Sequence, residues 1–194
     1  MKKVLTIALC LLTLSSAFAQ TSHKYGVKCA IVKTVTENAN GQKSYNTLWF
    51  DDYGARERTL TSMDMGGGMG TAEWLYVSLP DGKTYMVDES RKSATATKRI
   101  DINYLDMAED VAKARKARVI GQEKVDGRDC TVWEEKVKQI LSTATINSWV
   151  WKGIPVKINI DKPKSSTTLL SIEQKSSLPA SLFTIPKDYT VKDL

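Results

Sequence analysis

Three short turn signals constrain the fold of this chain more than any other feature. Asn40-Gly41 separates residues 25–37 from 43–51, Asp81-Gly82 separates 71–79 from 83–88, and Asp126-Gly127 separates 119–125 from 128–138. Asn-Gly and Asp-Gly tolerate the positive φ angles of tight hairpins, and each flanking segment is rich in Val, Ile, Thr, Tyr or Trp. Alternation supports strands: Val27, Cys29, Ile31 and Val35 would share one face, with Lys28, Thr34 and Thr36 on the other. Val156, Ile158 and Ile160 likewise oppose Lys157, Asn159 and Asp161, between turns read at Gly153-Ile154-Pro155 and Lys162-Pro163-Lys164. The pattern predicts a mainly β (α+β) domain of antiparallel strands with one wet and one covered face.

One segment departs from this pattern. Residues 101–118 contain no turn residues and place Ile102, Leu105, Ala108 and Ala112 at helical spacing. Acids (Asp101, Asp106, Glu109, Asp110) precede bases (Lys113, Arg115, Lys116, Arg118), which complements a helix dipole. Asp101 would cap this helix and Gly121 would lie just past its end.

The N-terminus reads as a secretory signal: Lys2 and Lys3, an apolar run over residues 4–14, then Ala17-Phe18-Ala19 before Gln20. The run is shorter than the ~20 residues that span a bilayer, and no second run of that kind follows. Residues 1–19 would be removed, leaving 20–194 as a single soluble domain in the periplasm or outside the cell, and a monomer is expected. Cys10 belongs to the signal and not to a lipid anchor. Losing Lys2 and Lys3 lowers the formal charge of +6 by two. The remaining lysines alternate with apolar residues and do not form a nucleic-acid footprint. Cys29 and Cys130 survive processing, and in an oxidising compartment they are either a disulfide or two small buried hydrophobes.

Catalytic chemistry has little to work with. His23 is the one histidine, so a Ser-His-acid or Cys-His arrangement would depend on a residue near the mature terminus. No nucleophile elbow, phosphate loop or dinucleotide fingerprint is present, and no cofactor is implied. The acids Asp51-Asp52, Asp64, Glu73 and Glu134-Glu135 read as solvated strand edges and not as a paired-carboxylate site.

Two features remain. Met63, Met65 and Met69 lie in a glycine-rich loop, where thioethers cover an apolar cavity or, less favoured, form an unremarkable exposed loop or bind Cu(I). Trp49, Trp74, Trp133, Trp149 and Trp151 all fall in expected strands; Trp149 and Trp151 share a face, as do Trp74 and Tyr76. They either pack a core or line a concave sheet suited to an alkyl chain.

Four segments carry a family resemblance: Trp74 to Asp88 with its Asp81-Gly82 turn; Gly121-Gln-Glu-Lys-Val-Asp-Gly-Arg-Asp-Cys-Thr-Val-Trp133; Trp149-Val-Trp-Lys-Gly-Ile-Pro-Val156; and Ser181-Leu-Phe-Thr-Ile-Pro-Lys-Asp-Tyr189. In this order, over about residues 45–190, the chain resembles periplasmic lipoprotein carriers of the LolA/LolB-like type and the related outer-membrane lipoprotein-sorting and DUF4412-like proteins. The resemblance implies a curved sheet, or incomplete β-barrel, wrapped around one main helix, with a cavity for an apolar or acylated ligand such as a lipid or a lipoprotein acyl chain. It implies no enzyme; the absence of a metal is expected from the residues themselves. About nine to eleven strands are expected, with Trp49, Trp74, Tyr76, Trp149 and Trp151 lining the concave side and Met63, Met65 and Met69 gating it. The alternative is an envelope structural or interaction module whose hollow is filled by Ile102, Leu105 and Ala108.

Overall fold

The computed structural model describes residues 23–140 and 142–194. The signal segment, the Gln20 cleavage point and Cys10 lie outside the described residues. Twelve strands follow in chain order: β1 (Ala30–Asn38), β2 (Lys43–Asp51), β3 (Arg56–Asp64), β4 (Thr71–Ser78), β5 (Lys83–Asp88), β6 (Ser93–Lys98), β7 (Arg118–Val125), β8 (Arg128–Lys138), β9 (Thr143–Trp151), β10 (Ile154–Asp161), β11 (Lys164–Gln174) and β12 (Thr190–Asp193). One helix, α1 (Glu109–Arg115), precedes β7.

All twelve strands belong to one curved sheet in the order β12-β6-β5-β4-β3-β2-β1-β11-β10-β9-β8-β7. The two edges, β12 and β7, do not meet, so the sheet stays open as an incomplete barrel. Neighbours are antiparallel except β12, which returns parallel to β6.

The Asp126-Gly127 turn is a two-residue hairpin with φ of 47° and 76°. Lys152-Gly153 makes a second, so Ile154 and Pro155, expected in a turn, begin β10. The Asn40-Gly41 and Asp81-Gly82 signals sit in longer loops, closed by Asn38 N–H to Gln42 O and Leu79 N–H to Lys83 O, each 3.0 Å. The glycine-rich segment is itself a hairpin tip. Met65 N–H donates to Gly70 O at 3.0 Å, and Gly66, Gly67 and Gly68 all have positive φ.

The helix is shorter than expected. Asn103 Oδ1 accepts from the backbone of Leu105 (3.0 Å) and Asp106 (3.2 Å), and this local bonding holds residues 103–106 in a turn. Asp101 pairs with Lys24 and Arg99 and does not cap a helix; Gly121 lies inside β7. The helix stops where Lys116 turns left-handed at φ 49°. None of its side chains is fully buried, and Val111, Ala112 and Arg115 are half-buried.

The main core packs Tyr25, Val27, Ala30, Val32, Phe50, Val132, Trp149, Ile154, Val156 and Leu169. Val32 is buried and Ile31 only half-buried, so the odd residues of β1 do not continue the Val27 face as alternation suggested. The Tyr25 and Phe50 rings lie 4.3 Å apart. Among the described residues no helix is long and apolar enough to cross a membrane.

Candidate functional site

Strand register sorts side chains onto two faces, because directly opposed residues share a face. On one face the rows run Ala30, Phe50, Glu57, Ser78; then Val32, Leu48, Thr59, Tyr76, Met86; then Thr34, Asn46, Thr61, Trp74; then Thr36, Ser44, Met63, Ala72. Burial falls along this series. Phe50 and Glu57 are buried, Tyr76 and Leu48 are half-buried, Trp74 is 38 % exposed and Met86 47 %. The Tyr76 face thus carries a strip closed at one end and open at the other, apolar at Val32, Leu48, Tyr76, Met86, Trp74 and Met63 and polar at the threonines, Ser44 and Asn46 between them. Trp74 and Met86 also border an open cleft of about 620 Å³ at the sheet margin, whose walls include Arg58, Leu60, Glu73, Leu75 and Val87 of the opposite face.

The opposite face is covered in part across β3 to β6. It carries Ile31, Trp49, Arg58, Val77, Tyr85 and Ala96 in one row. The C-terminal segment crosses it: the Arg56 guanidinium lies over the Phe183 ring at 5.6 Å, and Arg58 donates to Leu182 O. Val77, Ala94, Ala96 and Phe183 are buried there.

The expected ligand residues therefore divide. Met63, Trp74 and Tyr76 come together on the Tyr76 face. Trp49 points to the other face, and so does Trp149, through its register with Lys157, Thr168 and Val35. The Trp149 indole N–H donates to Glu123 at 2.6 Å, and Lys157 Nζ sits 4.1 Å from its ring centre. Trp151 is half-buried against the core, flanked by Arg128 and Lys152. Met65 and Met69 project from the hairpin tip, 42 % and 73 % exposed. Met86 joins the strip without having been anticipated.

Two polar anchors fasten segments outside the strands to this face. Glu57 accepts from the Tyr25 hydroxyl at 2.6 Å and from Lys24 at 2.8 Å, and Arg99 reaches it at 3.2 Å. Arg99 also donates to Ala55 O and Gly54 O, both at 2.7 Å. Burial alone would raise the Asp101 carboxyl, but Lys24 and Arg99 outweigh it and hold it below its ordinary range. Gly153 (φ 79°) leaves room for this crossing, since a Cβ there would stand 2.5 Å from Lys24 O.

The second anchor is Glu135, expected on a solvated edge and found fully buried. It accepts from Tyr104 at 2.6 Å and from Arg115 Nε. The Tyr104 ring packs on Trp133, which shares the Tyr76 face through Ser148, Ile158 and Thr167. The segment carrying α1 is thus fastened to the sheet by polar bonds. Ile102 is half-buried, Leu105 half exposed and Ala108 exposed.

Cys29 and Cys130 are both buried, and both thiols are free in this structure. Desolvation pushes both thiols up. His23 stacks on Tyr53 at 3.8 Å. Among the described residues no group of three or more His, Cys, Asp or Glu side chains is placed to hold a metal ion.

No family model matches the sequence, and no curated protein matches it significantly. Among solved structures, an uncharacterised conserved protein from Thermus thermophilus superposes with a TM-score of 0.52 at 10% identity, over 86% of this chain and 91% of that one. MucB, solved in complex with MucA, gives 0.48 at 16% identity over 85% of this chain and 56% of MucB. An outer membrane lipoprotein-sorting protein domain from Vibrio parahaemolyticus gives 0.29 at 13% identity over 80% and 89%. Of these three, the first exceeds 0.5, and at its identity what it shares with this chain is the fold.

Proposed function

We propose that the chain is an exported, non-enzymatic binding protein, released as residues 20–194, that holds an apolar or acylated ligand against the Tyr76 face. The observation that carries this reading is the pairing of Tyr76 with the half-exposed Met86 beside exposed Trp74, on a sheet whose helix fully buries no side chain. Trp74, Tyr76, Met63 and Met86 offer flat and adaptable apolar surface of the kind that accepts alkyl chains. Each methylene buried is worth ~0.8 kcal/mol, so a twelve-carbon tail supplies roughly 9 kcal/mol before ordering costs. Micromolar affinity then needs no charged contact. Threonines and Asn46 along the same rows suit a ligand with a polar head or peptide.

The test is a titration of delipidated protein with dodecanoic acid and a dodecanoyl peptide, followed by tryptophan emission. Saturation is expected, with at least tenfold weaker binding in Met86→Lys and unchanged binding in Tyr45→Lys, which lies on the other face. No saturable change would favour an envelope interaction module in its place.

A further inference from the structure

We propose that one end of this sheet rests on a bilayer surface of anionic lipid. Register places four loops at that end: β1–β2 (38–43), β3–β4 (64–71), β8–β9 (138–143) and β10–β11 (161–164). They are tied in two pairs. Gln42 donates to Asp64 O at 3.2 Å and Gln139 donates to Lys162 O at 3.0 Å.

Their tips combine two signals. Met65, Met69 and the 99 % exposed Ile140 present apolar side chains to solvent at turns, where no neighbouring element covers them. Around them Lys43, Lys138, Lys162 and Lys164 are exposed, and the last three make no ion pair among the described residues. The acids at this end are Glu37, paired with Lys43 at 3.7 Å, and Asp64 and Asp161, which accept from Gly66 N–H at 2.8 Å and Thr145 N–H at 2.6 Å. Apolar tips ringed by basic groups match the interface of an anionic bilayer, where side chains enter the headgroup layer and lysines meet phosphates. An acidic protein would use the lysines and leave Ile140 and Met69 wet.

Orientation gives the surface a purpose that rests on the proposed ligand. Met63 and Trp74 occupy the rows of the Tyr76 face nearest this end. A chain leaving the bilayer would meet the strip without crossing water.

The experiment is co-sedimentation of the exported protein with vesicles of phosphatidylcholine alone or mixed with phosphatidylglycerol. Binding is expected on the mixed vesicles, weakening with salt. Each lysine contributes about fivefold, so Lys138→Gln, Lys162→Gln and Lys164→Gln together should lower partitioning on the order of a hundredfold. Met65→Ser, Met69→Ser and Ile140→Ser together should lower it while keeping the salt dependence. Equal binding to both vesicle types, or full retention by the lysine variant, would overturn the proposal. Capture by polyglutamate with no vesicle binding would assign the patch to an acidic protein and overturn it too. Dodecanoate titration of the lysine variant in solution should match wild type; failure there would count against the ligand reading and not against the membrane surface.

Discussion

The Tyr104 hydroxyl donates to the buried carboxylate of Glu135, and this one bond joins the segment ahead of α1 to the middle of β8. Arg115 holds the other carboxylate oxygen from the end of the helix. Tyr104→Phe should therefore destabilise the fold by about 1.5–3 kcal/mol, the usual worth of a bond to a charged group. Arg115→Met should cost more, about 3–5 kcal/mol, because it leaves a buried charge without its counter-ion. Urea unfolding monitored by far-ultraviolet circular dichroism measures both.

Burial raises the Tyr104 and Tyr25 hydroxyls well above the ordinary phenol range, reinforced by Glu135 and Glu57 respectively. A group whose folded pKa lies above its unfolded value stabilises fully below the unfolded value, about 10, and that contribution drains away as pH rises beyond it. Stability should thus fall between about pH 10 and the onset of alkaline unfolding. The slope should flatten in Tyr25→Phe and Tyr104→Phe, each compared with wild type by urea midpoints across that range.

Gly153 and Gly67 both have positive φ but differ in surroundings. Gly67 has open space around it, whereas a Cβ at Gly153 would collide with Lys24 O. Gly67→Ala should cost about 1–2 kcal/mol of left-handed strain. Gly153→Ala should cost clearly more, since the N-terminal crossing must also shift. Thermal melts of the two variants rank them.

Cys29 and Cys130 are unpaired, so reductant should leave the thermal midpoint unchanged. A thiol reagent should label both only after unfolding, because each is buried. Mass spectrometry of protein labelled under native and denaturing conditions gives the count.

The β elements were readable because turn chemistry and β-branched runs are local. Register was less so. Read as a two-residue turn, Asp81-Gly82 would set Tyr76 against Val87; the longer loop sets it against Met86, and a shift of one residue changes which face a side chain joins. That shift is why Met86 was missed. Alternation paired Trp74 with Tyr76 correctly but said nothing about Trp49, since relative facing between strands depends on register across the whole sheet. The helix was read too long because the Asn103 side chain accepts from the backbone N–H groups of Leu105 and Asp106, a competition that spacing does not reveal. Glu135 looked like a surface acid because its partners, Tyr104 and Arg115, are 31 and 20 residues away in sequence.

The central claim is that an acyl chain lies on the Tyr76 face and not on the Trp49 face. Quenching by a brominated dodecanoic acid tests it most directly, because bromine quenches tryptophan only at close range. Wild-type emission should fall saturably. Trp74→Phe should lose most of that quenching, and Trp49→Phe, altered on the face crossed by the C-terminal segment, should keep it. Equal loss in the two variants, or quenching that never saturates, would contradict the account.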